Sequence, residues 1–133
     1  MKPTVTATAA IVERGGKFLI TQRRPGGHMP LAWEFPGGKL EPDEAPAECL
    51  AREVFEEIGA RVRVGEILDV SFYPYERFNV LLLFYECVLL EGEPCPCDCR
   101  AVRWISPEEF PSYDFPPADI AAVEKFRRRR WAS

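Results

Sequence analysis

Residues 4–12 alternate small and β-branched side chains, and residues 17–22 (KFLITQ) return in the same style after Gly15-Gly16. A glycine pair between two such runs predicts a turn joining two strands. Residues 23–31 (RRPGGHMPL) have the Pro and Gly density of a loop. A short extended piece is predicted at 33–35, and Pro36-Gly37-Gly38 predicts a sharp bend into a second loop running through Asp43.

Over residues 45–58 the period changes. Ala47, Leu50, Ala51, Val54 and Ile58 fall on one stripe of an α-helix. Asp43 or Glu44 is placed to cap its start, Pro46 is tolerated in its first turn, and Gly59 belongs at its left-handed C-terminal position. Residues 61–73 and 77–90 are rich in Val, Ile, Leu, Phe and Tyr and predict two strands joined near Pro74. Residues 91–97 read as a Pro- and Gly-broken loop and 102–105 as a short strand. Ser106-Pro107-Glu108-Glu109 starts a helix with a capping-box glutamate. A closing helix is predicted over 116–130, with Ile120, Val123 and Phe126 on one side. Strands, a helix, more strands and a helix, without repeat or linker, predict an α/β domain with a mixed sheet packed between helices.

At 133 residues, the chain predicts one domain spanning 1–133. Its 47% hydrophobic and 29% charged residues exclude disorder throughout. The best apolar run, Val80 to Phe84, falls far short of the roughly 20 residues that span a bilayer. The N-terminus lacks the apolar stretch of a secretory signal. The expectation is a soluble, cytoplasmic domain without a membrane partner.

A net charge of −4 does not favour general nucleic-acid binding, although Arg127 to Arg130 gather positive charge at one end. Basic residues there complement the dipole of a closing helix. An acidic domain that handles an anionic substrate needs a cation to mediate. Cys49, Cys87, Cys95, Cys97 and Cys99 form an odd set, which argues for reduced thiols. Structural zinc sites usually pair two cysteine knuckles or add histidines, and His28 is the sole histidine in the sequence. The CPCDC run therefore reads as thiols in a loop.

The segment Arg52-Glu53-Val54-Phe55-Glu56-Glu57-Ile58-Gly59 carries the clearest chemistry. At about 100° per residue, Glu53, Glu56 and Glu57 share about a third of the helix circumference, beside the apolar stripe. Like charges at these spacings cost about 0.2–0.5 kcal/mol per pair on an exposed helix, and more where shielded. Arg52 alone does not neutralise them. Convergent oxygen donors suit a hard divalent cation such as Mg²⁺, which keeps several waters and uses a few carboxylates plus substrate phosphates. A charged, solvated face is the alternative reading of the helix taken alone.

The preceding residues decide between these readings. Gly38-x5-Glu44-x7-Arg52-Glu53-Val54-x-Glu56-Glu57-x-Gly59-Ala60 resembles the Nudix box, G-x5-E-x7-R-E-U-x-E-E-x-G-U, where U is bulky and aliphatic. Every fixed position matches; Ala60 is a small departure at the last U. Trp33-Glu34-Phe35-Pro36-Gly37-Gly38-Lys39-Leu40-Glu41 is similar to the entry into the box in the MutT-like branch, and Asp114-Phe115-Pro116-Pro117-Ala118-Asp119 to that branch's substrate loop. The resemblance implies the Nudix fold, an α/β/α sandwich with a mixed β-sheet between helices.

It also implies roles. Glu53, Glu56 and Glu57 would bind Mg²⁺ (or Mn²⁺), with the Gly37 carbonyl a further ligand. Arg52 would orient a neighbouring glutamate, Glu44 would brace the loop–helix junction, and Gly38 and Gly59 are the structural glycines of the box. Asp98, just ahead of the strand bearing Trp104, stands where MutT-like relatives usually place Glu, so the shorter side chain is expected to reach metal through a water. Glu53 and Asp98 are both candidate bases. The reaction implied is water attack on a nucleoside triphosphate, yielding nucleoside monophosphate and pyrophosphate, with the metal neutralising phosphate charge.

Arg23 matches a phosphate- or sugar-contacting position, with a solvated loop residue as the alternative; His28 is a further substrate candidate. Phe35 and Phe78 are candidate walls for stacking a base. Asp119 governs base choice. Ionised, it only accepts hydrogen bonds and matches the N1–H and N2–H₂ donors of guanine; protonated, it matches the N3 and N4–H₂ edge of cytosine. Its alternative is a first-turn acid of the last helix. The function expected is clearance of oxidised nucleotides such as 8-oxo-dGTP, with a CTP- or dCTP-preferring enzyme, another Nudix diphosphate hydrolase, or a nucleotide-sensing module as alternatives. A monomer or homodimer is expected.

Overall fold

The computed structural model describes residues 1–128. Arg129, Arg130 and Trp131, which the sequence assigns to the basic tail, lie outside the described residues.

The chain runs through β1 (Thr4–Arg14), β2 (Lys17–Gln22), β3 (Trp33–Glu34), β4 (Gly37–Lys39), α1 (Pro46–Ile58), β5 (Arg61–Pro74), β6 (Asn79–Glu91), β7 (Ala101–Ile105), a 3₁₀ helix (Pro107–Ser112) and α2 (Pro117–Arg128). The sheet order is β3-β2-β1-β6-β5, with β4 also pairing β1 and β7 pairing β2. β1 and β6 are parallel, from Thr4 opposite Asn79 to Val12 opposite Cys87. β5 is antiparallel to β6, with register shifts around Ile67. This is the mixed sheet that the order of elements predicts.

β1 is buried on both faces, because the sheet lies between two helices. Ala9 and Ile11 join Phe18, Ile20, Phe84, Phe110, Ala122 and Phe126 on the α2 side. Ala10 and Val12 join Leu19, Leu50, Val54 and Ile58 on the α1 side. Small side chains on β1 let both helices approach. The two core clusters therefore lie on opposite faces of one strand.

Several local expectations change. Gly37–Lys39 is a strand rather than only a bend, paired with β1 through Ala7–Lys39, Thr8–Gly38 and Ala9–Gly37. Glycine permits the pairing: a Cβ on Gly37 would collide with the Thr8 carbonyl, and one on Gly38 with the Glu53 carboxylate. Neither Asp43 nor Glu44 caps α1. Ala45 is the N-cap, its N–H donating to the Glu48 carboxylate at 3.4 Å, while Glu44 turns to accept the Glu41 N–H. Cys49 is buried in the α1 interface and Ala47 is exposed, because the Cys49 thiol reaches the Lys39 carbonyl under the helix start. Gly59 does hold the left-handed position, at φ 69°.

The helix begun at Ser106 stays 3₁₀ and short, since Pro111 lies inside it and has no N–H to offer. On α2, Ile120 is 51% exposed, and the core stripe runs through Ala118, Ala122, Val123 and Phe126 instead. Residues spaced by four, starting at Ala118, set that face. The CPCDC segment lies against the end of α1: the N–H groups of Cys95, Cys97 and Asp98 donate to the carbonyls of Ile58, Glu57 and Glu57, each at 3.0 Å. All five thiols are free.

Leu50 is fully buried beneath α1, whereas Phe55 on the same helix is 45% exposed and packs on Arg61. Leu50→Ala is expected to destabilise the fold by about 2–5 kcal/mol, and Phe55→Ala by about 1 kcal/mol or less, in denaturant unfolding. Equal losses would contradict the assignment of the α1 core face.

Candidate active site

The inner face of α1 points its acids toward β4, β2 and the loop before α1. Arg52 organises the first of them. Its Nε and Nη2 donate to the two oxygens of Glu44 at 2.7 and 2.9 Å, and its Nη1 to Glu53 at 2.9 Å and Glu56 at 3.2 Å. The hydrogen bonds from Arg52 hold the Glu44 carboxyl down at about 2. Burial raises Glu53, with Arg52 opposing that shift.

Glu57 is different. It faces inward and accepts the Thr21 hydroxyl at 3.3 Å. Burial pushes its carboxyl up to about 8, and the charges of Glu34 and Glu53 add to that, against the Thr21 hydroxyl and the Gly37 amide. Arg52, which binds Glu44, Glu53 and Glu56, makes no ion pair with Glu57. Among the described residues, no three His, Cys, Asp or Glu side chains converge closely enough to hold an ion as they stand. What fits a dication is the donor set: carboxylate oxygens along one rigid helix face, more numerous than their cations, with the most buried one raised by burial and by the neighbouring Glu34 charge.

Beside these acids opens a cavity of about 460 Å³, a size suited to a small ligand. Glu57, Gly37 and Gly38 line one part of it, and Arg23, His28, Glu34, Tyr75, Phe78 and Asp119 another. Arg23 Nη2 pairs with Glu34 at 2.8 Å, and its Nη1 donates to the His28 carbonyl at 2.8 Å. Burial opposes the Arg23 charge, and Glu34 more than offsets it. The His28 ring stands edge-on to Tyr75 at 4.8 Å and Phe78 at 5.0 Å. Burial lowers its pKa, as do the charges of Arg23 and Lys39. Asp119 is only 4% exposed. Burial pushes its carboxyl up to about 8, and the charge of Glu34 adds to this against the pull of Arg23.

The fold thus brings Arg23, His28, Phe78 and Asp119 to the cavity that Glu57 lines. Phe35 reaches the cavity wall but is 3% exposed, its ring packed against Phe84, Phe110, Phe115 and Phe126. It is first of all a core residue. Glu56 stays on the outer flank, with its side chain 54% exposed. Asp98 also lines the cavity; its side chain is 74% exposed and pairs with Arg24 at 3.3 Å, and its backbone N–H donates to the Glu57 carbonyl. Gly37 turns its amide toward Glu57.

Sequence reasoning assigned no role to Glu34 or Tyr75. Glu34 was detectable, as the one charged residue between Trp33 and Phe35 in an extended piece. Tyr75 carried no signal, since its place beside His28 and Ala118 is made by the β5–β6 turn folding against α2.

Known proteins resemble this chain in sequence and fold. A NUDIX domain matches residues 2–126. The chain is 36% identical over 128 residues to the CTP pyrophosphohydrolase of Escherichia coli (strain K12), covering 96% of this chain and 95% of that protein. It is 30% identical over 128 residues to the 8-oxo-dGTP diphosphatase of the same organism, covering 96% and 99%. The crystal structure of the MutT protein from Methanosarcina mazei Go1 superposes with a TM-score of 0.84 at 25% identity, covering 96% of this chain and 95% of the other. With the box residues placed along α1 and a cavity at their side, the chain belongs to the Nudix hydrolase family.

Proposed function

We propose that this protein hydrolyses nucleoside triphosphates to nucleoside monophosphate and pyrophosphate with Mg²⁺, Mn²⁺ being an alternative ion. The base site accepts cytosine and 8-oxoguanine and disfavours guanine offered by its major-groove edge. The observation that carries the base reading is the burial of Asp119, 4% exposed near Glu34, which favours the neutral carboxyl at neutral pH. A protonated carboxyl offers a donor next to an acceptor. Cytosine presents N3 as acceptor beside the N4–H₂ donor. Guanine presents two acceptors, O6 and N7, on its major-groove edge, which a donor beside an acceptor does not match. Oxidation at C8 places a proton on N7, and 8-oxoguanine then shows a donor beside the O6 acceptor.

This brings together two relatives whose substrates look unrelated, the CTP pyrophosphohydrolase and the 8-oxo-dGTP diphosphatase. An ionised Asp119, expected for binding guanine by its pairing edge, is disfavoured by the same burial. His28, Tyr75 and Phe78 supply the aromatic wall on which a base can lie. Arg23, fixed by Glu34, offers its remaining donor capacity to ribose or phosphate oxygens.

At the other end of the cavity, Glu57 with Glu53 and Glu56 is the reading we favour for the metal set, Gly37 lying beside it. The ion there would neutralise phosphate charge and lower the pKa of a water. Arg52 fixes Glu53 and Glu56 on the helix face, and Glu44 anchors Arg52 in turn. Glu53, partly buried and raised, is placed to accept a proton; Asp98 reaches the site from the loop that caps α1. The protein is read as acting in the cytoplasm. Among the described residues no helix is long and apolar enough to cross a membrane.

Product analysis with Mg²⁺ tests the base reading. The value of kcat/KM for dCTP and 8-oxo-dGTP is expected to exceed that for dGTP by about 10- to 100-fold, the discrimination typical of one two-point hydrogen-bond match. Equal turnover of dGTP would overturn it. Asp119→Asn, whose amide also offers a donor beside an acceptor, is expected to keep the preference, and Asp119→Ala to lose it.

The pH dependence has a definite sign. Asp119 is a raised acid, neutral below its pKa of about 8 and ionised as pH rises through it. The preference for dCTP over dGTP should therefore fall at alkaline pH in the wild type and persist in Asp119→Asn. Parallel profiles would show that another group is responsible. For the metal set, Glu57→Gln is expected to lower kcat by at least about a hundredfold with an unchanged thermal melt. A near-normal rate would remove Glu57 from it.

A further inference from the structure

Neither the proposed reaction nor the box uses the thiols of Cys95 and Cys97. Both are exposed, and their sulfurs lie 3.6 Å apart, in contact but unbonded. They sit on a fixed support rather than a free loop. The Cys95 and Cys97 N–H groups donate to the carbonyls of Ile58 and Glu57, and the bare Cα of Gly59 lies beneath them: a Cβ there would come within 3.1 Å of the Cys97 sulfur.

The third thiol of the run is turned away. Cys99 is buried, and its sulfur is directed at the carbonyls of Glu57 and Ala101 at 3.7 and 3.6 Å. His28 stands edge-on to Tyr75 and Phe78, which also pack on each other. No third sulfur or imidazole joins the pair, so a soft-metal site, which needs about four donors, is not assembled here. A disulfide needs only the two.

We propose that Cys95 and Cys97 form a reversible disulfide under peroxide and that this bond controls turnover through Asp98. One thiol gives up its proton and the thiolate attacks an oxygen of hydrogen peroxide; the hydroxide expelled takes up that proton as water, leaving a sulfenic acid. The second thiol attacks that sulfur and expels a second water. Two thiols and one peroxide become one disulfide and two waters. The sulfurs must close from 3.6 Å to about 2.05 Å.

That movement acts on a loop with little slack. Asp98 follows Cys97 directly, its N–H shares the Glu57 carbonyl with the Cys97 N–H, and Arg24 holds both the Asp98 carboxylate and the Cys97 carbonyl. Pulling Cys97 toward Cys95 therefore shifts Asp98 relative to Glu57. The effect on rate rests on the proposed active site; the bond itself does not.

The test treats the reduced full chain with a modest excess of hydrogen peroxide. Intact mass is measured first, then the free thiols are alkylated and the linkage is read by fragment-ion sequencing. Sequencing is needed because Cys87, Cys95, Cys97 and Cys99 all fall between Arg77 and Arg100, within one tryptic peptide. The expected result is loss of two hydrogens, a Cys95–Cys97 linkage, and a several-fold fall in Mg²⁺-dependent turnover that dithiothreitol reverses. Cys95→Ser and Cys97→Ser should keep their rate under the same treatment. Both thiols remaining alkylatable, or Cys97 pairing with Cys99, would overturn the pair. A Cys95–Cys97 bond with unchanged turnover would overturn the control of rate. Because the linkage is read by mass whether or not a triphosphate is cleaved, failure of the pair and failure of the proposed reaction are separable.

Discussion

Four carboxyl groups, Glu34, Glu57, Asp98 and Asp119, border one cavity with Arg23, Arg24 and Lys39; Arg23 is bound to Glu34 and Arg24 to Asp98. Burying a charge without its partner is unfavourable, so the excess is resolved by protons or by a cation. Glu57 and Asp119 each lie near Glu34, and burial first, then the Glu34 charge, pushes both up to about 8. At Asp119 a proton resolves the excess, and the proposed base reading uses that proton as a donor. At the Glu57 end, a divalent ion can do so, held beside Glu53 and Glu56.

The scaffold exists to hold that imbalance in place. α1 is fixed to the sheet by Leu50, Val54 and Ile58 against Ala10 and Val12 of β1. Its start is tied by Arg52 to Glu44, and its end by the amides of Cys95, Cys97 and Asp98. β4 brings Gly37 and Gly38 so near β1 and Glu53 that any side chain would collide. On the opposite face, Ala118, Ala122 and Phe126 seat α2 and carry Asp119 into the cavity. The distance between the two ends of the site is therefore set by a sheet buried on both faces.

Much of this was legible in the sequence, for physical reasons that differ by residue. Glu53, Glu56 and Glu57 could be placed together because helical spacing fixes their relative direction. The core face of α1 followed from the same period, although Cys49 replaced Ala47 in it. The strands were legible as runs, but β4 was not, since Gly37–Lys39 has no hydrophobic pattern and exists only because glycine lets two backbones meet. Ile120 was misplaced because a lone large side chain draws more attention than the alanines that set the true face of α2. The Arg23–Glu34–Asp119 group was least legible as a unit. Its members come from the end of β2, from β3 and from α2, and only the folded sheet brings them together. Phe35 looked like a base-stacking ring because its neighbours in the aromatic core are far away in sequence.

The central claim is that the acids of α1 form a divalent-cation site beside the cavity. It is tested most directly by a crystal of the full chain soaked in Mn²⁺ and read by anomalous scattering. The account predicts a peak among the carboxylates of Glu53, Glu56 and Glu57, beside Gly37 and open to the cavity. A strong peak elsewhere, with those carboxylates still turned to Arg52 and Thr21, would contradict it.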